Sequence, residues 1–328
     1  MTPLLSVRGL ETGFASEEGL VRAVRGVSFE LGAGETLGLV GESGCGKSVT
    51  ALSIMRLLPA AARIVAGEIE LAGEGDLTKA SKRALRKIRS KRIAMVFQDS
   101  MTSLNPLLTV GRQITESLQA HLDLSGRTAQ DRAVSLLQEV GVPEPEQRLK
   151  QYPHQLSGGL RQRVAVAVAL APDPEVLIAD EPTTALDVTI QAQLLELLKR
   201  EQAERQMALM LITHDLGVVA GMADRLCVMY AGRIVEEGPT ERVFAEPRHP
   251  YTLGLLRSVP RIDGEIGRRL PSIPGNPPPI WEIPAGCPFR SRCSYALARC
   301  EAEDPPLEPV GRDGQAAACW ADVREAVR

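Results

Sequence analysis

Residues 41–50 read GESGCGKSVT, and this stretch restricts the fold more than any other in the chain. Gly41, Gly46, Lys47 and Ser48 occupy every fixed position of G-x-x-x-x-G-K-[ST]. The flanks agree with it. ETLGLV, ending at Val40, is a short apolar run suited to a buried strand, and SVTALSIMRLL carries helical apolar spacing up to Pro59. A strand–loop–helix unit aims several backbone N–H groups and the positive end of a helix dipole at one point. Gly41, Ser43, Gly44, Cys45, Gly46, Lys47, Ser48 and Val49 are therefore expected to cradle the phosphates of a nucleotide. Lys47 would reach the β- and γ-phosphates, and Ser48 would hold Mg²⁺.

The rest of the chain reads as α/β. LLSVRGL and VRAVRGVSFEL predict strands at the start, and IAMVF predicts a strand over 93–97. From about 107 to 170 the spacing is mostly helical, with RAVSLLQEVGV amphipathic and ended by Gly141 and Pro143. Strands and helices alternate again from 174, which predicts a mostly parallel sheet with ligands at the C-terminal strand ends. The run KASKRALRKIRSKR, 79–92, holds eight basic residues and no acidic one. It is short and leads straight into the strand IAMVF, so a solvated helix face is expected rather than a nucleic-acid patch. A net charge of −3 adds no bias toward nucleic acid or anionic membrane. No basic stretch leading into an apolar one opens the chain, and no run of about 18 apolar residues occurs, so neither a signal peptide nor a membrane span is expected and the cytoplasm is the inferred compartment.

Three further segments carry chemistry. In EVLIADEPTTALD, Val176 to Ala179 read as a buried strand with Asp180 and Glu181 at its C-terminal end. Two adjacent carboxylates there are costly unless a cation or water pairs with them. Asp180 is expected to hold Mg²⁺ with Ser48, and Glu181 to polarise the attacking water as general base. LITHD ends a strand at Thr213, which puts His214 at the same sheet edge, at the γ-phosphate or the attacking water; elsewhere such a histidine would serve packing or capping. In QLSGGLRQRVAVAVAL, Ser157 reads as an N-cap followed by Gly158 and Gly159, with the helix running to Pro172. A serine hydroxyl and free N–H groups at a helix start make an anion site, although a plain capped helix explains these residues taken alone.

Together these segments resemble the nucleotide-binding subunit of an ABC transporter. GESGCGKS matches Walker A, Gln98 the Q-loop, LSGGL the signature, VLIADE Walker B, ALD ending at Asp187 the D-loop, and His214 the switch histidine. Leu160 stands where the signature commonly has glutamine, and Phe14 matches the aromatic that stacks on adenine. FQDSMTSLNPLLTVG, YPHQLSGGLRQR, EPTTALDVTIQAQLLELL and PRHPYTLGLL resemble the dipeptide/oligopeptide and nickel branch of ABC importers. The resemblance implies a P-loop ABC ATPase fold over 1–245, its mostly parallel sheet joined by antiparallel β and helical subdomains (the latter about 99–172), and a small regulatory extension over 246–328. It implies ATP and Mg²⁺ as ligands, with Gln98 joining Ser48 and Asp180 at the metal. It also implies catalysis by Glu181, His214 and Gln98, and a head-to-tail dimer in which Ser157, Gly158, Gly159 and Asp187 serve the ATP of the partner subunit. The expected setting is the cytoplasmic face of the inner membrane, peripheral, beside two transmembrane permease subunits and a second ATPase subunit, identical or related, with an extracytoplasmic peptide-binding protein acting indirectly. No nucleic acid is expected.

The extension is compositionally distinct. Ten of the 23 prolines fall between Pro271 and Pro309, and Cys287, Cys293, Cys300 and Cys319 form C-x5-C-x6-C-x18-C. A reducing compartment disfavours disulfides, structural zinc favours closer cysteine pairs, and iron–sulfur ligand spacing varies more widely. Zinc and unligated thiols stay open on the residues alone; the resemblance points to a [4Fe–4S] cluster, since some members of the branch carry one there. A DNA-repair or ribosome-acting ABC ATPase is the rival of another class. A spacing of about 110 residues between Ser48 and Ser157 and the single cassette argue against it. Peptide, nickel and related solutes remain open as cargo.

Overall fold

The computed structural model describes residues 2–17, 19–98, 103–184, 186–259, 272–311 and 314–323. It divides into two compact units, one of Met1–Leu4, Leu31–Glu35 and Lys79–Met210, the other of Leu5–Glu30, Thr36–Thr78 and Leu211–Arg328. The second contains the phosphate loop and residues 246–323 of the extension.

In the loop-bearing unit, strands Leu5–Ser16 and Ala62–Leu71 pair antiparallel, with Leu5 opposite Leu71 and Phe14 opposite Ala62. Strand Gly19–Leu31 lies on the outer side of the first and Gly75–Asp76 beyond the second. Strand Thr36–Val40 is buried at all five residues. Such a run, apolar on both faces, belongs in a sheet interior. It pairs parallel with Arg225–Tyr230, Leu37 opposite Arg225 and Val40 opposite Val228. Arg225–Tyr230 then turns back at Ala231 and Gly232, with φ of 46° and 84°, into antiparallel Arg233–Pro239. Two successive left-handed residues match the right-handed twist of a tight hairpin. Two short strands of the extension, Ala316–Ala317 and Glu308–Pro309, continue the pairing antiparallel. The sheet pairs parallel along Thr36–Val40 and Arg225–Tyr230, as the alternation predicted, and becomes antiparallel at RLCVMYAGRIVEEG, a hairpin to whose outer edge the extension adds.

The other unit pairs Ile93–Val96 with Val176–Asp180 in parallel, Ile93 opposite Val176. Its helices are Val110–Leu122, Gly126–Glu139, Gly158–Leu170 and Val188–Arg205. The first buries Val110, Ile114 and Leu118, one face at intervals of four. The basic run forms helix Lys82–Ile88, capped by Ser81, with only Leu85 and Ile88 buried, so the charges face solvent as predicted. Glu201 is 2% exposed and is matched by Arg205 at 3.0 Å, which also reaches Asp173 and Glu139, each at 2.8 Å. Strand Ala208–Thr213 is divided between the units and is buried throughout.

The helix after the phosphate loop spans Lys47–Ile54, shorter than the run to Pro59 suggested. Arg56 adopts a left-handed φ of 52° and donates to the carbonyl oxygens of Leu77 and Thr78, which turns the chain away from the helix axis. Among the described residues, no helix is long and apolar enough to cross a membrane.

Candidate active site

At Gly41 and Gly46 the phosphate loop is held by contacts that leave no room for side chains. A Cβ on Gly41 would stand 2.2 Å from the Met229 carbonyl oxygen and 2.8 Å from Cys45 Sγ; one on Gly46 would stand 2.6 Å from the Ala23 carbonyl oxygen, at a φ of 107°. Gly46 is the N-cap of the following helix and makes no side-chain cap bond, which leaves the helix start to its N–H groups. Gly232 donates its N–H to the Cys45 carbonyl at 2.9 Å, tying the hairpin turn to the loop. Lys47 is 4% exposed, and its Nζ donates to the carbonyl oxygens of Gly41 at 2.7 Å and Glu42 at 3.1 Å. The ammonium is thus held over the loop. Burial pushes the Cys45 thiol up, against the pull of Lys47. Ser43 and Gly44 are exposed, and Ser48 and Val49 half-buried. A backbone cradle with a held ammonium fits a nucleotide polyphosphate. Phe14 is half-buried on Leu5–Ser16, a strand linked to the loop's helix by a 2.8 Å bond between the hydroxyls of Thr12 and Ser53. His214 is exposed just past Thr213, and Asp215 caps the next helix through the N–H of Gly217 at 2.8 Å.

In the other unit, Asp180 ends its strand and is 4% exposed. Glu181 follows with a left-handed φ of 44°, a strained conformation for a side-chain-bearing residue of the kind that gathers at working sites. Its carboxylate accepts from Gln98 Nε2 at 3.1 Å and Thr184 Oγ1 at 2.9 Å. The structure thus brings Gln98 to Glu181, a pairing the sequence did not specify. Ser157 is the N-cap of helix Gly158–Leu170, accepting from the Leu160 N–H at 3.4 Å; Ser157 and Gly158 are exposed. Gly159 packs against the Ile190 side chain. Asp187 caps helix Val188–Arg205 through the Ile190 N–H at 2.9 Å. Ala185 of the ALD segment and residues 99–102 after Gln98 lie outside the described residues.

Residues 24–184 match the ABC transporter family, and residues 235–300 match the oligopeptide/dipeptide transporter C-terminal region. The chain is 50% identical over 327 residues to the dipeptide transport ATP-binding protein DppD of Bacillus subtilis (strain 168), covering 99% of this chain and 97% of that one. The chain belongs to the ABC transporter ATP-binding proteins. Within them it carries the C-terminal region of the oligopeptide/dipeptide branch, and its fold is the ABC ATPase fold of an ATP-hydrolysing subunit. The ATP-binding cassette MJ0796, in a dimeric post-hydrolysis state bound to ADP and Pi, superposes with a TM-score of 0.64 at 28% identity, over 72% of this chain and 98% of that one. CbiO1 of Clostridium perfringens, part of the transporter complex cbiONQ, gives 0.63 at 27% identity, over 75% and 92%.

The proline-rich extension contributes to a core. Cys287, Phe289 and Cys300 are buried in one apolar cluster with Val40, Val228, Tyr230 and Tyr251. Burial raises the thiols of Cys287, to about 11, and Cys319, to about 12, and also raises Cys293. The expected [4Fe–4S] site at Cys287, Cys293, Cys300 and Cys319 is not supported: among the described residues no group of three or more His, Cys, Asp or Glu is placed to hold a metal ion. Cys287 and Cys300 pack into the apolar cluster, while Cys293 and Cys319 sulfurs accept the N–H groups of Tyr295 and Ala321 at 3.3 and 3.4 Å.

Sequence reading also missed what the extension does to the loop. Tyr251 Oη accepts the Glu42 N–H at 2.8 Å, and Arg292 pairs with the Glu42 carboxylate at 2.6 and 2.9 Å. PRHPY was the available signal, a histidine before a helix-starting proline. His249 caps helix Pro250–Arg257, its Nδ1 accepting the Tyr251 N–H at 3.0 Å.

Proposed function

We propose that this chain powers import of dipeptides or oligopeptides. The observation that carries this reading is the identity of about half to a dipeptide transport ATP-binding protein along nearly the full length, extension included. ATP would lie on the loop from Gly41 to Val49, with Lys47 on the β- and γ-phosphates and Phe14 against adenine. Ser48, Gln98 and Asp180 would hold Mg²⁺, which supplies charge neutralisation for the leaving phosphate. Glu181 would take the proton of the attacking water, with Gln98 and His214 orienting it. The strained Glu181 backbone and its bond from Gln98 support that assignment. Ser157, Gly158, Gly159 and Asp187 would complete the ATP site of a second ATPase subunit. The exposure of that helix start is what a shared site requires.

The nucleotide-binding domain would span 1–245 with its helical part about 99–172, and the extension 246–328. The subunit would sit peripherally on the cytoplasmic face of the membrane against two permease subunits, fed by an extracytoplasmic binding protein. A [4Fe–4S] cluster on the four extension cysteines rests on their number, spacing and family resemblance, and iron and sulfide analysis after anaerobic purification tests it. For the transport reading, the assembled transporter and its binding protein in vesicles should take up labelled di- or oligopeptide with ATP. Uptake of nickel and not peptide would replace the cargo assignment.

A further inference from the structure

Glu42 has three polar handles, and each is held. Its N–H goes to Tyr251 Oη, its carbonyl oxygen accepts Lys47 Nζ, and its carboxylate receives both arms of the Arg292 guanidinium. Two of these partners come from the extension, Arg292 from 250 positions away in sequence. Arg292 is itself held. Its side chain is 4% exposed, Nε donates to the Pro274 carbonyl at 2.9 Å, and the guanidinium lies 5.8 and 5.9 Å from the ring centres of Tyr230 and Phe289. Tyr251 is fixed from behind. Glu236, fully buried, accepts the N–H groups of Arg248 and His249 at 2.7 and 2.9 Å, and His249 then caps the helix that presents Tyr251.

An ion pair whose guanidinium is buried and whose carboxylate side chain is 28% exposed is a poor device for stability alone, because desolvating the cation consumes much of the attraction. This one has another use. A carboxylate in the second position of a loop that gathers a polyanion opposes the loop's task by charge repulsion. A two-pronged guanidinium neutralises it with fixed geometry. The same residue's carbonyl holds the Lys47 ammonium beside the Gly41 carbonyl, so the position of Glu42 contributes to that of Lys47.

We propose that Arg292 of the C-terminal extension is a positioning residue for the nucleotide site: it masks the Glu42 carboxylate and, through Glu42, holds Lys47 over the phosphate loop. This rests on the reading of residues 41–48 as the phosphate loop.

The test uses the full chain and a slowly hydrolysed ATP analogue with Mg²⁺, with dissociation constants measured by calorimetry and folding checked by thermal melting. Arg292→Gln should weaken binding by about tenfold, and Arg292→Lys, which keeps the charge without the fork, by about threefold, on the scale of ordinary site-to-site coupling. The double variant Glu42→Gln/Arg292→Gln should bind more tightly than Arg292→Gln, because the unmasked carboxylate is gone. A structural brace alone would make the double variant as weak as the single or weaker, which would overturn the proposal, as would unchanged binding by Arg292→Gln. Should Arg292→Gln fail to fold, Arg292→Lys with and without Glu42→Gln gives the same comparison. Loss of affinity in Lys47→Ala checks the loop itself. If that variant binds like the wild type, the phosphate-loop reading fails and the masking proposal falls with it; if Lys47→Ala weakens binding and Arg292→Gln does not, only the masking fails.

Discussion

Two helix starts are the proposed anion sites of this chain, and they are built in opposite ways. The helix Lys47–Ile54 begins inside a closed environment. Gly41 and Gly46 of the loop before it abut the Met229 and Ala23 carbonyls, Lys47 is buried, and Glu42 of that loop is clamped by the extension. The helix Gly158–Leu170 begins in the open, with Ser157 and Gly158 exposed and no atom within 4 Å of a Cβ placed on Gly158. A site walled in by its own unit is pre-organised to bind ligand. An open cap needs a second surface before it can enclose anything. The difference teaches that the same type of local structure, a helix N-terminus, takes its role from what covers it.

The largest test separates binding from chemistry. Glu181→Gln should keep nucleotide binding, because the loop is intact, and lose about 10²–10⁴-fold in turnover in the assembled transporter. Near-normal hydrolysis would remove Glu181 as the base. Next, Ser157→Arg should leave binding to the closed loop unchanged and lower turnover by about 10²-fold or more, the scale of losing a transition-state donor. If dilute, monomeric protein turns over at the rate of the full transporter, the open cap serves no partner and the contrast collapses. The third test compares the glycines directly by thermal melting. Gly46→Ala should cost about 2–4 kcal/mol, from backbone strain and a steric clash, whereas Gly158→Ala should change stability by less than about 1 kcal/mol. Equal effects would show the two starts to be equally confined.

The smallest effect concerns the extension's grip on the closed site. Burial lowers His249 from 6.5 to about 3. The unfolded chain therefore takes up a proton that the folded chain refuses. Stability from this group is fully present above about pH 6.5 and falls as pH drops toward 3, by at most about 1.4 kcal/mol per pH unit. Buried Glu236, its carboxyl raised by burial, accepts the His249 N–H and titrates in the opposite sense. The difference between wild type and His249→Asn, which keeps an acceptor for the Tyr251 N–H, isolates the histidine. Parallel melting curves from pH 7 to 5 would show that it does not titrate.

Local patterning carried much of this fold. The phosphate loop, the buried strands Thr36–Val40 and Val176–Asp180, the caps at Ser157 and Asp187 and the exposed basic helix all follow from residues within one turn or one strand of each other. The early end of the first helix did not, because Arg56 bonds to carbonyls 21 and 22 residues away. Nor did the hairpin at Ala231–Gly232 declare itself within an apolar run that looked parallel.

By itself the sequence determined the family and the glycine-rich strand–loop–helix at residues 36–54, since fixed spacing places those groups through short-range geometry, and it supplied the proposed acid–base residues. Only the tertiary structure decided that Glu42 is clamped by Tyr251 and Arg292, that Gln98 bonds Glu181, and that the cysteine-bearing extension packs into a core beside the loop. Side chains that meet across 83 to 250 positions leave no periodic trace in a single chain. Their pairing is fixed by how strands and helices pack, and that is a property of the whole fold.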